Sequence, residues 1–186
     1  MRKLHVFNNL SLDGYFTDQN QDMSWAHNQD SEWTEFASEN ARGDGVLLFG
    51  RVTYDMMRSF WPTPQARASA PVIAERMNSG MKVVFSRTLT EASWQNTQLI
   101  KGDLVGEVQK LKASAGPDLV LMGSGSIARQ LAEARLIDSY QLVIHPLAIG
   151  GGRTLFEGVT RKVELELERT RTFKNGNVVI WYSARA

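Results

Sequence analysis

Three short stretches of this chain carry residue types that can grip a phosphate. The clearest is Leu119-Val120-Leu121-Met122-Gly123-Ser124-Gly125-Ser126-Ile127, an apolar run that breaks on two glycines and resumes in a helical pattern. A buried strand that ends in Gly-x-Gly and feeds straight into a helix turns several backbone N–H groups, and the positive end of the helix dipole, toward one spot. Two further apolar runs end in comparable residues. Val46-Leu47-Leu48-Phe49 stops at Gly50-Arg51-Val52-Thr53-Tyr54, and Val83-Val84-Phe85 stops at Ser86-Arg87-Thr88. In an open α/β sheet, ligands sit beyond the carboxyl ends of the strands, so segments distant in sequence converge there. Each stretch also has a purely structural reading: glycines serve tight turns, Thr53 and Ser86 can cap helices or turns, and surface arginines are mostly solvated.

The elements that must hold these stretches follow from periodicity. Residues 4–8 read as a strand, followed by a polar loop over 11–30. Trp33, Phe36, Ala37 and Asn40 have helical spacing, with Asp30 or Ser31 as cap, and Gly43-Asp44-Gly45 opens the strand to Phe49. Tyr54, Met57 and Phe60 define a short helix that halts near Trp61-Pro62-Thr63-Pro64. A helix is expected over 72–78, a strand over 82–86, a helix capped by Asp103, the strand 119–122, a helix over 126–134 and a strand over 140–145. Strand, helix and parallel strand in this order predict α/β layering around a largely parallel sheet. In the tail, Val163, Leu165 and Leu167 alternate with Glu164, Glu166 and Glu168, and Lys174-Asn175-Gly176-Asn177 supplies a tight turn back into 178–183. An antiparallel hairpin closes the sheet.

At 186 residues the chain is sized for a single domain over 1–186, with 42% hydrophobic residues. Its 21 basic and 20 acidic residues are interspersed and sum to +1, which provides no electrostatic footprint for nucleic acid or a membrane surface. Cysteine is absent, excluding disulfides and thiolate metal sites. The first residues turn polar at Asn8, too early for a secretory core, and no run approaches a membrane span, so a cytoplasmic protein is expected. His5, His27 and His145 lack ligand spacing, and no metal site is expected.

Taken in order, Ser11-Leu12-Asp13-Gly14, Leu48-Phe49-Gly50-Arg51-x-Thr53-Tyr54, Val83-Val84-Phe85-Ser86-Arg87 and the Gly123-Ser124-Gly125 turn resemble the dihydrofolate-reductase-like superfamily. His145-Pro146-Leu147-Ala148-Ile149-Gly150-Gly151-Gly152-Arg153-Thr154-Leu155-Phe156 narrows the resemblance to the reductase domain of the riboflavin-pathway deaminase-reductase and its stand-alone relatives. The resemblance implies a three-layer α/β/α fold with a mixed, mostly parallel sheet and a C-terminal antiparallel hairpin. It also implies NADPH binding, hydride delivery to a small heterocycle and a homodimer. The implied substrate is 5-amino-6-(5-phosphoribosylamino)uracil or a pteridine-like compound. On this resemblance Gly123, Ser124, Gly125, Ser126 and Ile127 hold the diphosphate, Gly50, Arg51 and Thr53 the second phosphate region, and Ser86 with Arg87 the adenosine 2′-phosphate. An arginine fork there favours NADPH over NADH.

The resemblance is least complete at the proton donor. Dihydrofolate reductases carry a carboxylate on the first helix, and counting back from Gly50-Arg51 reaches a point near Thr34, with Asp30, Glu32 and Glu35 as neighbouring acids, of which Asp30 or Glu35 is the candidate. Asp13, in the turn after the first strand, is the other candidate, although a turn aspartate commonly bonds its own backbone. Met23-Ser24-Trp25 resembles the Met-x-Trp of the mobile loop over the nicotinamide in that superfamily. The missing carboxylate keeps open a second reading, a non-catalytic NADPH-binding or sensor protein of the same fold.

Overall fold

The computed structural model describes residues 1–27 and 30–185. Strand β1 (Leu4–Ser11) turns Leu4, Val6 and Leu10 to one face and Phe7 to the other, and it runs three residues beyond the expected end. The polar segment after it contains a short strand, β2 (Tyr15–Thr17), and one 3-10 turn at Ser24–Ala26. Helix α1 (Ser31–Ala41) starts where the Asp30 carboxylate accepts the Trp33 N–H at 2.9 Å. Strand β3 (Val46–Gly50) passes directly into α2 (Arg51–Phe60).

Pro62 and Pro64 read as a stop, yet Pro64 opens another helix, α3 (Pro64–Ser69), and Pro71 opens α4 (Pro71–Ser79). A proline in the first turn of a helix sacrifices no hydrogen bond, and Thr63 caps α3 by accepting the Ala66 N–H. Then come β4 (Lys82–Phe85), an unanticipated edge strand β5 (Thr97–Ile100), and α5 (Leu104–Ala113), capped by Asp103. Strand β6 (Leu119–Met122) leads into α6 (Gly125–Glu133), followed by β7 (Ser139–His145) and a two-residue strand β8 (Arg153–Thr154). The hairpin of β9 (Leu165–Thr172) and β10 (Val178–Ala184) closes the chain.

The main sheet has the order β5-β4-β3-β6-β1-β7-β10-β9. Its first six strands run parallel, and β10 and β9 are antiparallel to their neighbours. The carboxyl ends of β4, β3, β6, β1 and β7 therefore share one edge. Leu48, Val83, Leu119, Leu121, Leu4 and Val6 pack against Leu104 and Val108 of α5 and Ile127 and Leu131 of α6. On the other face Leu47, Phe49 and Val84 meet Tyr54 and Met77 of α2 and α4, while Val143 and Val179 meet Trp33 and Phe36 of α1. The result is the expected three-layer α/β/α arrangement.

In the tail, β9 is more exposed than its alternating pattern predicts, because it is the outermost strand. A register shift between Trp181 and Tyr182 brings Arg169 opposite Trp181, where its guanidinium lies 4.0 Å from the indole centroid. No helix among the described residues is long and apolar enough to cross a membrane.

Candidate functional site

Three of the predicted stretches meet on adjacent strand ends. Gly50 is in register with Phe85, so Ser86 lies one step beyond it, and β3 and β6 are hydrogen-bonded neighbours whose ends lead to Gly50 and Gly123. Ser124 ties them together. Its hydroxyl accepts the Gly50 N–H at 2.8 Å and donates to Thr53 Oγ1 at 2.9 Å. Gly50 is closely packed here, since a Cβ would approach Ser124 Oγ to 3.0 Å and Ile127 Cγ1 to 3.2 Å, so a side chain would have to displace one or both.

The turn itself is left-handed. Gly123 has φ +60°, and Ser124 follows at φ 60°, ψ 65°, a conformation that costs an L-residue about 1–2 kcal/mol. A left-handed residue followed by a helical one curls consecutive N–H groups into a concavity suited to an oxyanion. Gly125 and Ser126, the first residues of α6, have N–H groups without an intrahelical acceptor. Ile127 differs: its N–H bonds Ser124 O at 2.9 Å and its buried side chain packs in the core behind Gly50.

The helices around this point contrast in their caps. Asp30, Thr63 and Asp103 cap α1, α3 and α5 with side-chain oxygens, whereas α4, which opens on Pro71, and α2 and α6, which start side by side, have no side-chain cap. Two helix N-termini with their donors open thus face one position. Arg51 is exposed and pairs with Asp55 at 3.5 Å. Ser86 Oγ accepts the Thr88 and Leu89 N–H groups at 3.2 and 3.0 Å, so its hydroxyl holds its own turn and Arg87 is presented to solvent from that turn. Arg87 makes no ion pair among the described residues.

The acids expected as proton donors have other work. Asp13 accepts from Ser11 Oγ (2.6 Å), Gly150 N (2.7 Å) and Ile149 N (3.1 Å). These donors, the Ser11 hydroxyl first, hold its carboxyl below the usual range, which is the reverse of what a proton donor needs. Asp30 caps α1 and accepts the Asn175 side-chain amide at 2.6 Å. Glu35 is exposed, and Thr34 turns its hydroxyl back to Asp30 O.

A second cluster lies at the carboxyl end of β7. His145, 2% exposed, has Nε2 3.0 Å from Asn9 Oδ1 and its ring edge-on to Trp25 at 5.3 Å and to Trp33 at 6.2 Å. Burial lowers its pKa to about 4, so the imidazole is neutral near pH 7. The Trp25 indole N–H is buried and has no hydrogen-bond partner among the described residues. Buried donors rarely stay unpaired, and one beside an aromatic floor suits a ring carbonyl. Neither Asn9 nor His145 stands out in the sequence as a binding residue. Only their position at the ends of neighbouring strands, with Ser11 in register with His145, marks them.

Comparison with known proteins gives the family and the fold. Residues 2–179 match the family model of the RibD C-terminal domain. The uncharacterized protein YyaP of Bacillus subtilis (strain 168) is 30% identical over 174 residues, covering 93% of this chain and 90% of that protein. The solved structure of a protein assigned to riboflavin biosynthesis in Shewanella sp. PV-4 superposes with a TM-score of 0.77 at 26% identity, covering 99% of both chains. Dihydrofolate reductase from Enterococcus faecalis, solved in complex with NADP(H) and RAB-propyl, shares the fold alone, with a TM-score of 0.65 at 13% identity over 99% of this chain and 97% of that one. The layered sheet with its antiparallel end is thus dihydrofolate-reductase-like, and the chain belongs to the RibD C-terminal domain family.

Proposed function

We propose that the chain is an NADPH-dependent reductase of a small heterocycle, working as a homodimer. The observation that carries this reading is the junction of two uncapped helix N-termini, α2 and α6, through the Ser124 hydroxyl. Open donors and aligned dipoles at one point suit a diphosphate. The N–H groups of Gly125 and Ser126 would hold one phosphate, and Arg51 and Thr53 the other. Arg87, displayed by the Ser86 turn, would pair with the 2′-phosphate and disfavour NADH. When bound, NADPH supplies the hydride.

The substrate ring would lie on the other side of β1, against Trp25, Trp33, Asn9 and His145. Neutral donors and acceptors line that place, which suits the carbonyl and amide edge of an aminouracil or a pteridine-like compound. Family membership supports the first of these, 5-amino-6-(5-phosphoribosylamino)uracil. With no α1 carboxylate turned to this place, the protein would orient the ring and exclude water, and the proton would come from solvent.

NADPH oxidation followed at 340 nm across aminouracils, pteridines and quinones tests the proposal. Turnover of an aminouracil or pteridine is the expected result. The position of Thr34, where the superfamily carries its acid, favours one alternative, a sensor that binds NADPH and catalyses nothing; tight binding with no turnover on any compound would establish that instead. A melting temperature that NADPH leaves unchanged would remove both readings.

A further inference from the structure

Residues 11–19 and 147–154 form one interlocked roof over the first turn of α6. Strand β2 pairs with β8, Tyr15 with Thr154 and Thr17 with Arg153, and Leu12 N donates to Leu147 O at 2.8 Å. Contact between the segments is tight enough to exclude side chains. A Cβ on Gly152, whose φ is +144°, would lie 1.9 Å from Thr17 O and 2.9 Å from Asp18 Cα. The underside of the roof is Phe16. Its ring lies so close to Gly125 that a Cβ there would be 2.7 Å from Phe16 Cε1, and Thr154 O is 3.6 Å from the same point. Arg153 extends over the Phe16 ring at 5.9 Å, adding a positive charge to the roof.

A two-strand ribbon of three and two residues is too short to hold itself together in water. Charge-assisted bonds cross it at Asp13, whose carboxylate gathers the Ser11 hydroxyl from its own segment and the Ile149 and Gly150 N–H groups from the other. We propose that Asp13 is a positioning residue: it latches these two segments into one lid, and the lid's seating on Gly125 sets how fast a bound dinucleotide leaves. The inference rests on the diphosphate site proposed above. Its depressed pKa fits the same role, since the latch needs the ionised form.

Asp13→Asn is the informative change. An amide presents N–H groups where Ile149 or Gly150 also presents one, so at least one bond becomes a repulsion. Hydrogen exchange at Ile149 and Gly150 should quicken at least tenfold. In stopped-flow displacement, NADPH dissociation should quicken by a similar factor, with association within about twofold of wild type. Asp13→Glu should recover part of both effects. Ser11→Ala, which keeps the charge and removes its orienting hydroxyl, should shift both in the same direction by less, and it serves if Asp13→Asn does not fold. Faster exchange at the two amides with unchanged NADPH dissociation would overturn the positioning role and leave the cofactor site standing. Unchanged exchange would show that Asp13 is not the latch. Wild-type protein that fails to bind NADPH would refute the site itself, and the positioning role with it.

Discussion

Ser124 and Gly50, 74 residues apart, are joined by a 2.8 Å hydrogen bond from the Gly50 N–H to the Ser124 hydroxyl. That bond couples the start of α2 to the start of α6 and sets the spacing of the two donor clusters. Replacing Ser124 by Ala leaves the Gly50 N–H and Thr53 hydroxyl without this partner and should destabilise the fold by about 1–3 kcal/mol. Ser124→Gly loses the same bonds but relieves the left-handed backbone, so it should be the more stable variant by roughly 1 kcal/mol. Urea unfolding of the pair measures the difference.

Gly152 is the residue on which roof packing depends most sharply. With φ at +144° and Thr17 O occupying the place of a Cβ, Gly152→Ala must push the two segments apart. The expected loss is on the order of 3 kcal/mol, seen as a lower urea midpoint. Gly150→Ala, at φ +76° with nothing within 4 Å of its Cβ, incurs only backbone strain and should lose about 1–2 kcal/mol.

Arg87→Ala tests the proposed preference for NADPH over NADH. Loss of a charge-assisted contact to the 2′-phosphate should weaken NADPH by roughly 1.5–3 kcal/mol and leave NADH nearly unchanged. Calorimetric titration with both nucleotides decides it: equal losses would take Arg87 out of the site.

His145 ties stability to pH. Its folded pKa of about 4 lies below the ordinary 6.5, so between those values the unfolded chain binds a proton that the folded chain refuses. Stability from this group is complete above pH 6.5 and is lost as pH falls toward 4, by roughly 3 kcal/mol in all. Asp13, Asp118 and Glu133, with lowered carboxyl pKa values, contribute in the same direction only below about their ordinary carboxylate range. Unfolding free energies at pH 7, 6, 5 and 4.5 should therefore slope in the wild type and lie nearly flat in His145→Asn.

Leu167 is 56% exposed on β9, opposite Tyr182, and Phe156, 37% exposed, covers Tyr140 on the same side of the sheet. Uncovered apolar side chains on a sheet end fit the proposed dimer. Sedimentation should show a dimer for the wild type and a monomer for Leu167→Arg; two identical profiles would count against this face.

Much of the molecule was legible in order along the chain. Apolar runs interrupted at Gly50, Ser86 and Gly123 marked strand ends, because a strand buried on both faces is written as a continuous hydrophobic stretch. Asp103 read correctly as a cap and Asn175-Gly176 as a hairpin turn, since these signals are local, and of the two caps offered for α1 the structure uses Asp30 rather than Ser31. Strand β5 and helix α3 were hidden for the opposite reason: one is a short edge strand, and the other opens on a proline that also reads as a terminator.

The chemistry divides along the same line. Residue types and their order identified the family and pointed to the segments proposed to bind phosphate, since helix N-termini and glycine turns are properties of neighbouring residues. Which groups Asp13 bonds, and that Asn9 and His145 come together, depended on which strand lies beside which. Asp13 meets Ile149 and Gly150 across 136 and 137 positions, and His145 reaches Asn9 across 136. Partners so distant are set by sheet order and register. Those are settled by burial of the whole core, and no window of the sequence contains them.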